Sequence, residues 1–318
     1  VGRAAIGDHP DLSRTTIVDR HSGNLSSARA GLREFGHTGA KEKLMTTESP
    51  KPRAGARFVD AFLQSPFAGL TPWIVMSLLS GPGRFEESVA AALALSILFL
   101  FLSHRRGGAL KPLEVFDIVY FGCLAAIGLF ASDTVITWLE TWSGEMSSLA
   151  LVVFAFGSLL LRNPFTLPYA KETTPDEYWS SPLFLAINQR ITLVWALSFT
   201  VSAAAGLFGD AVLGQPDNFW TGWIIPIGAL LFALSFTEWY PDVATARAPR
   251  EPGEPEEVAP PLLKLFEFLP PFVMGVGIAM LVTDNDPDWL AIALIVVGIV
   301  AGAAFRRTGA RRPAASAG

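Results

Sequence analysis

"SVAAALALSILFLFLS" (88–103) and, near the other end of the chain, "WLAIALIVVGIVAGAAF" (289–305) decide the fold class. Each is one apolar block with no alternation of wet and dry positions. Blocks of about 17–25 such residues are what a helix needs to cross a bilayer. A backbone in lipid must satisfy its own hydrogen bonds, so a block of this kind is helix. Similar blocks recur throughout the 318 residues, of which 51% are hydrophobic and 17% charged. A soluble domain carries roughly 25% charge. The sequence therefore predicts an all-α, polytopic transmembrane helical bundle.

Eight spans are expected, at about 60–80, 88–103, 113–131, 146–161, 184–207, 219–239, 265–283 and 288–305. The first holds Pro72 and is expected to be kinked or split, because proline removes a helix hydrogen bond. The second and fourth are short enough to call for local bilayer thinning or flanking anchors. Basic residues orient the chain. With a cytoplasmic N-terminus, every lysine and arginine except Arg84 falls in an inside segment or at the cytoplasmic end of a span. The outward loops, such as "TDNDPD" (283–288), are acidic. Both termini are expected in the cytoplasm of a bacterium whose inner membrane the chain crosses. Trp138, Trp142, Trp220, Trp223 and Trp289 mark the outer interface, Trp179 and Trp239 the inner one, with Trp195 and Trp73 deeper. Segment 133–142, "DTVITWLETW", is short and polar, and is expected to lie as a helix on the outer surface.

The domain reading has five parts. Residues 1–57 form a disordered basic extension, of which 1–44 are expected to precede the native start, since "MTTESPKPRAG" from Met45 reads as an ordinary protein beginning. Residues 58–240 form a six-span membrane domain. An acidic, proline-rich linker (241–264) leads to a two-span hairpin (265–305) and a basic tail (306–318). "FVDAFLQSPF" (58–67) and "LFEFLPPF" (265–272) open similar hairpins, as in a parallel internal repeat.

"RNPFTLPYAKETTPDEYWSS" (162–181) interrupts the apolar pattern on the cytoplasmic side. Pro164 and Pro168 predict extended or turned chain over 163–173. Thr174, Pro175 and Glu177 read as a capping box opening a short amphipathic helix that bears Tyr178 and Trp179. Ser181–Pro182 then starts the fifth span. A tight re-entry loop accounts for these residues structurally. Functionally, Arg162, Asn163, Thr166, Tyr169, Lys171, Glu172 and Trp179 would form a polar site with Asn188 and Arg190. That site would hold a lipid phosphate, through the paired donors of arginine, or a partner's peptide.

Several function classes find no support. No basic stripe interleaved with aromatics points to nucleic acid. The single cysteine, Cys123, lies in an apolar block, and His9, His21, His37 and His104 all lie outside such blocks. No metal site, cofactor site or nucleophile–base pair is predicted. Asp60, Glu114, Asp117, Glu238 and Glu267 sit within one or two turns of the cytoplasmic interface. Asp117 reaches deepest, about 6 Å past the start of its span, and is expected to snorkel or to pair with Lys111. Proton coupling is disfavoured on this ground.

Arg-Asn-Pro (162–164), Trp179, Asn188, "VWALSF" (194–199) and "NFW" (218–220) resemble the intracellular septation protein A family over about 58–240. The resemblance implies a small inner-membrane protein of septum formation and envelope synthesis, and it carries over no catalytic residue. The two C-terminal spans, the linker and the N-terminal extension depart from that family. The function expected is a non-enzymatic membrane protein supporting envelope or septum processes, with membrane lipids and envelope or division proteins as partners. A transporter or lipid flippase that is not proton-coupled is the alternative.

Overall fold

The computed structural model describes residues 66–310 apart from Arg106, Gly108, 216–217, 250–257 and 284–286. The expected N-terminal extension, residues 60–65 of the first span, residues 250–257 of the linker and the end of the basic tail lie outside the described residues. Among those described there are helices and no strands. In order they are α1 (Pro66–Leu79), α2 (Phe85–Arg105), α3 (Pro112–Phe130), α4 (Asp133–Leu160) and the short α5 (Leu167–Thr173). Then come α6 (Pro182–Leu207), α7 (Ile225–Ala246), the one-turn α8 (Leu262–Leu265), α9 (Leu269–Val282) and α10 (Asp288–Ala310). Wide π-type turns, Phe208–Val212 and Phe219–Ile224, extend the facing ends of α6 and α7.

Among the described residues, seven helical segments are long and apolar enough to cross a membrane: Phe85–Arg105, Pro112–Phe130, Asp133–Leu160, Pro182–Val212, Phe219–Ala246, Leu262–Val282 and Asp288–Arg307. The protein is a multi-pass integral membrane protein. The distribution of polarity fits a lipid solvent. Leu98, Phe101, Val119, Val153 and Ile299 face outward, whereas Ser88, Ser96, Ser147, Ser158 and Thr192 are buried. Small hydroxylated residues let helices approach closely, and they satisfy themselves on backbone carbonyls. Ser96 donates to Ala92 O at 2.9 Å and Ser158 to Ala155 O at 2.7 Å.

Three expectations about the spans need correcting. The segment 133–142 is not a separate surface helix. It is the first part of α4, an unbroken 28-residue helix, in which Thr137 and Thr141 bond back to the carbonyls of Asp133 and Thr137. That helix is about 42 Å long at 1.5 Å per residue, and α2 has 21 residues. Neither calls for bilayer thinning. Pro72 does not split α1, which runs through it for 14 residues with Pro72 buried.

Within the main core a ladder of rings runs from α1 through α3, α4 and the 162–181 loop to α6. Trp73, Phe116, Phe154, Phe165, Trp195 and Phe199 follow one another at centroid distances of 5.9, 4.6, 5.5, 6.4 and 5.7 Å. Trp195 and Trp73 are both buried. The hairpin of α9 and α10 has a smaller cluster around Val276, Met280 and Ala291. Its helices touch through glycine: a Cβ on Gly277 would sit 2.5 Å from the carbonyl oxygen of Ala291.

Candidate functional site

The segment 162–181 begins as a helix ending. The Asn163 N–H bonds Ser158 O at 3.0 Å and the Arg162 N–H bonds Leu159 O at 2.9 Å, the paired bonds of a Schellman motif. Arg162 occupies the left-handed position with φ of 54°. This position favours glycine, and a side chain there costs about 1 kcal/mol. Pro164 comes two residues later, where the helix cannot continue. Arg162→Gly is therefore expected to leave the fold intact and to raise stability by up to about 1 kcal/mol. Thermal unfolding in detergent checks this, and a clear loss of stability would show that the arginine side chain does more than end a helix.

Phe165 then plugs the core between Phe154 and Trp195, at 1% exposure. The extended or turned chain expected over 163–173 is present over 163–166 and gives way to helix at Leu167–Thr173. Pro168 stands in its first turn, where its missing N–H costs nothing. The expected capping box at 174–177 is absent. Thr174 is the extended residue that ends α5, and only one 3-10 turn, Asp176–Tyr178, comes after it, without a side-chain cap. Ser181 and Pro182 do start α6, with the proline in its first turn.

The nine residues expected to share one site separate into groups. Thr166 and Asn188 come together in the interior, 4% and 1% exposed. Thr166 Oγ1 lies 2.7 Å from Thr192 Oγ1 and 3.2 Å from the Asn188 carbonyl. Tyr169 and Glu172 face Lys111, a residue outside the expected site. Lys171 lies over the Trp179 ring at 5.0 Å, and the Trp179 indole donates to Thr174 O at 2.8 Å. Arg190 lies over Tyr240 at 5.9 Å. Arg162 and Asn163 are exposed on the turn.

Lys111 is the centre of a buried charge cluster. It is 1% exposed, 3.1 Å from Glu172 and 4.0 Å from Glu114, and it stands 4.6 Å over the Tyr169 ring. Asp117 neither snorkels nor pairs with Lys111, contrary to expectation. It is 1% exposed and accepts a 2.7 Å bond from the Trp73 indole, across the α1–α3 contact. Lys111, Glu114 and Asp117 are all buried inside the bundle, without the partial hydration expected of charges near the interface. Glu114 Oε2, Glu172 Oε2 and the Tyr169 hydroxyl are buried without a hydrogen-bond partner. Among the described residues no group of His, Cys, Asp and Glu is arranged to hold a metal ion.

Burial, reinforced by the negative charge of Glu114, Asp117 and Glu172, pushes the Tyr169 hydroxyl well above its ordinary value. The unfolded chain releases this proton near pH 10 while the folded chain retains it. Stability from this group is thus full below about pH 10 and falls above it, by up to about 1.4 kcal/mol per pH unit. Tyr169→Phe is expected to remove that part of the alkaline slope, which stability measurements from pH 9 to 11 would detect as a flatter curve.

Between this loop and helices α6 and α7 lies a half-open groove of about 660 Å³. Thr166, Tyr169, Thr173, Thr174 and Tyr178 form one wall. Leu183, Phe184, Ile187, Asn188 and Ile191 of α6 form the floor, and Thr237, Pro241 and Thr245 of α7 form the far wall. Thr166, Tyr169 and Asn188 are thus the expected site residues that do share a cavity, and none of its lining residues is charged. The α7 threonines carry no signal in the sequence, because their meeting with the loop is purely tertiary. Compared with known protein families, with curated proteins and with solved structures, the chain finds no match.

Proposed function

We propose that this membrane protein is a non-enzymatic binder of an amphiphile, held in the groove between the 162–181 loop, α6 and α7, and that it supports envelope or septum processes through that lipid or an associated protein. The observation that carries the reading is the groove itself. It has an apolar floor, polar groups along its walls, a volume within the ~300–1,000 Å³ range of small-molecule sites, and one open side. The distribution of basic residues supports eight spans with both termini in the cytoplasm of a bacterial inner membrane. The resemblance to the septation protein A family supports the envelope role.

Thr245→Trp tests the reading, because Thr245 is an exposed residue of the groove that bonds only its own helix, to Pro241 O and Asp242 O. Native mass spectrometry of the wild type is expected to show a retained lipid-sized mass. The variant should lose at least about tenfold of its occupancy, some 1.4 kcal/mol, at unchanged thermal stability. Equal occupancy in both proteins would rule the groove out. The buried Lys111, Glu114 and Asp117 favour a second reading, transfer of the amphiphile between leaflets, since ionisable groups inside a membrane commonly mark a pathway. Leaflet exchange of a fluorescent lipid in reconstituted vesicles, at the rate of protein-free vesicles, would exclude it.

A further inference from the structure

Building on the groove as an amphiphile site, we infer that its occupant carries an uncharged, hydroxyl-bearing headgroup of the diacylglycerol type and that the site discriminates against phosphate. Four features lead there. The lining is entirely neutral, and its polar members offer hydroxyls and one amide. Three cations near the groove are turned to other partners: Lys171 to Trp179, Arg190 to Tyr240, and Lys111 to Glu172, Glu114 and the Tyr169 ring. None of these cations, nor Arg162, lines the groove.

The third feature is the wall behind the groove. Beyond Tyr169, Lys111 is held by Glu172 at 3.1 Å and Glu114 at 4.0 Å and stands over the Tyr169 ring. An anionic headgroup would meet no arginine fork or ammonium in the groove, only the first turn of α6 at Ser181, Leu183 and Phe184. The fourth is unspent hydrogen-bonding capacity in the lining. Asn188 commits one amide hydrogen to Phe184 O at 2.9 Å, and its side-chain oxygen has only the Thr166 hydroxyl, at 3.5 Å. An amide with a spare donor and a spare acceptor suits a hydroxyl, which both donates and accepts. The apolar floor of Phe184, Ile187 and Ile191 takes the acyl glycerol stem, and the chains leave through the open flank.

The experiment compares two lipids that differ only in the headgroup. The full chain is reconstituted in phosphatidylcholine discs doped with equal fractions of a diacylglycerol and the phosphatidate of the same chains, and lipid retained on the protein is counted by native mass spectrometry. Diacylglycerol is expected to be retained at least about tenfold over phosphatidate. Thr245→Lys, which puts a cation into the groove, should shift that ratio toward phosphatidate. Thr245→Trp should abolish retention of both.

Retention of phosphatidate equal to or above diacylglycerol, still blocked by Thr245→Trp, would overturn the headgroup assignment and leave the groove as a lipid site. A ratio unmoved by Thr245→Lys would overturn the assignment as well. Retention of neither lipid, or retention indifferent to Thr245→Trp, would overturn the groove reading itself.

Discussion

Lys111→Met is expected to destabilise the folded protein by about 3–5 kcal/mol, the usual cost of removing one partner from a buried ionic group. The side chain is 1% exposed and is the cation set against Glu172 at 3.1 Å and Glu114 at 4.0 Å. Methionine keeps the length of the stem and fills the same space, so the loss isolates charge from packing. Without the ammonium, carboxyl oxygens that are already short of partners, Glu114 Oε2 and Glu172 Oε2, lose the one cation that both carboxylates meet. The contact also ties α5 to the start of α3, so the wall of the groove loosens along with the fold. Denaturant unfolding in detergent micelles measures the effect. Adding Glu172→Leu should recover part of the loss, because the orphaned acid leaves with the cation. A Lys111→Met protein as stable as the wild type, or a double variant worse than the sum of the two singles, would show that the cluster is not held by this charge balance.

The bundle is legible in the sequence because lipid makes hydropathy a direct reporter of burial. "WLAIALIVVGIVAGAAF" needs no partner in sequence to be read as helix, and α10 covers it in full. Helix ends are harder. α4 begins at Asp133, well before its apolar block, and Thr137 and Thr141 satisfy their hydroxyls on its own backbone within those polar turns. Hydropathy reports where lipid begins, and a helix need not stop there. Pro168 misleads for a related reason. Proline reads as a breaker, whereas in the first turn of α5 it lacks only an N–H that would have been unpaired. The capping signals at Thr174–Glu177 are locally sound, but Ser181–Pro182 begins α6 too soon for more than one turn to form.

The candidate site is legible only in part, and the division has a physical cause. Thr166, Tyr169 and Asn188 can be picked out because polar residues at the edge of a span are unusual. The charge cluster cannot. Lys111 stands just before Pro112 and reads as one more basic residue of an inside loop, while the acid it meets most closely, Glu172, is on α5. Nor does any local pattern bring Trp73 of α1 to Asp117 of α3. Charge count and spacing report what a segment tolerates, and only the packing of α1, α3 and α5 decides which charges leave the interface.

Trp73 and Asp117 give the second large effect. Trp73→Phe keeps the ring stacked among Phe116, Tyr120 and Phe121, whose centroids lie 4.8–5.9 Å away, and deletes only the N–H that Asp117 accepts at 2.7 Å. The buried carboxyl then has no replacement for that donor, and water cannot reach it at 1% exposure. A loss of about 1–3 kcal/mol is expected. Asp117→Leu should cost less, because it leaves a lone indole N–H but takes an acid away from Glu114. The double variant replaces both partners with apolar groups and should be more stable than the sum of the two losses predicts, with a coupling energy of about 1–3 kcal/mol. Unfolding of the four proteins in one detergent measures that coupling. Strict additivity would mean that the α1–α3 contact is held by ring packing alone. A positive coupling would instead place a buried hydrogen bond at the joint between α1 and α3, one turn beyond the Glu114 that faces Lys111, so that the joint and the groove wall share one polar core.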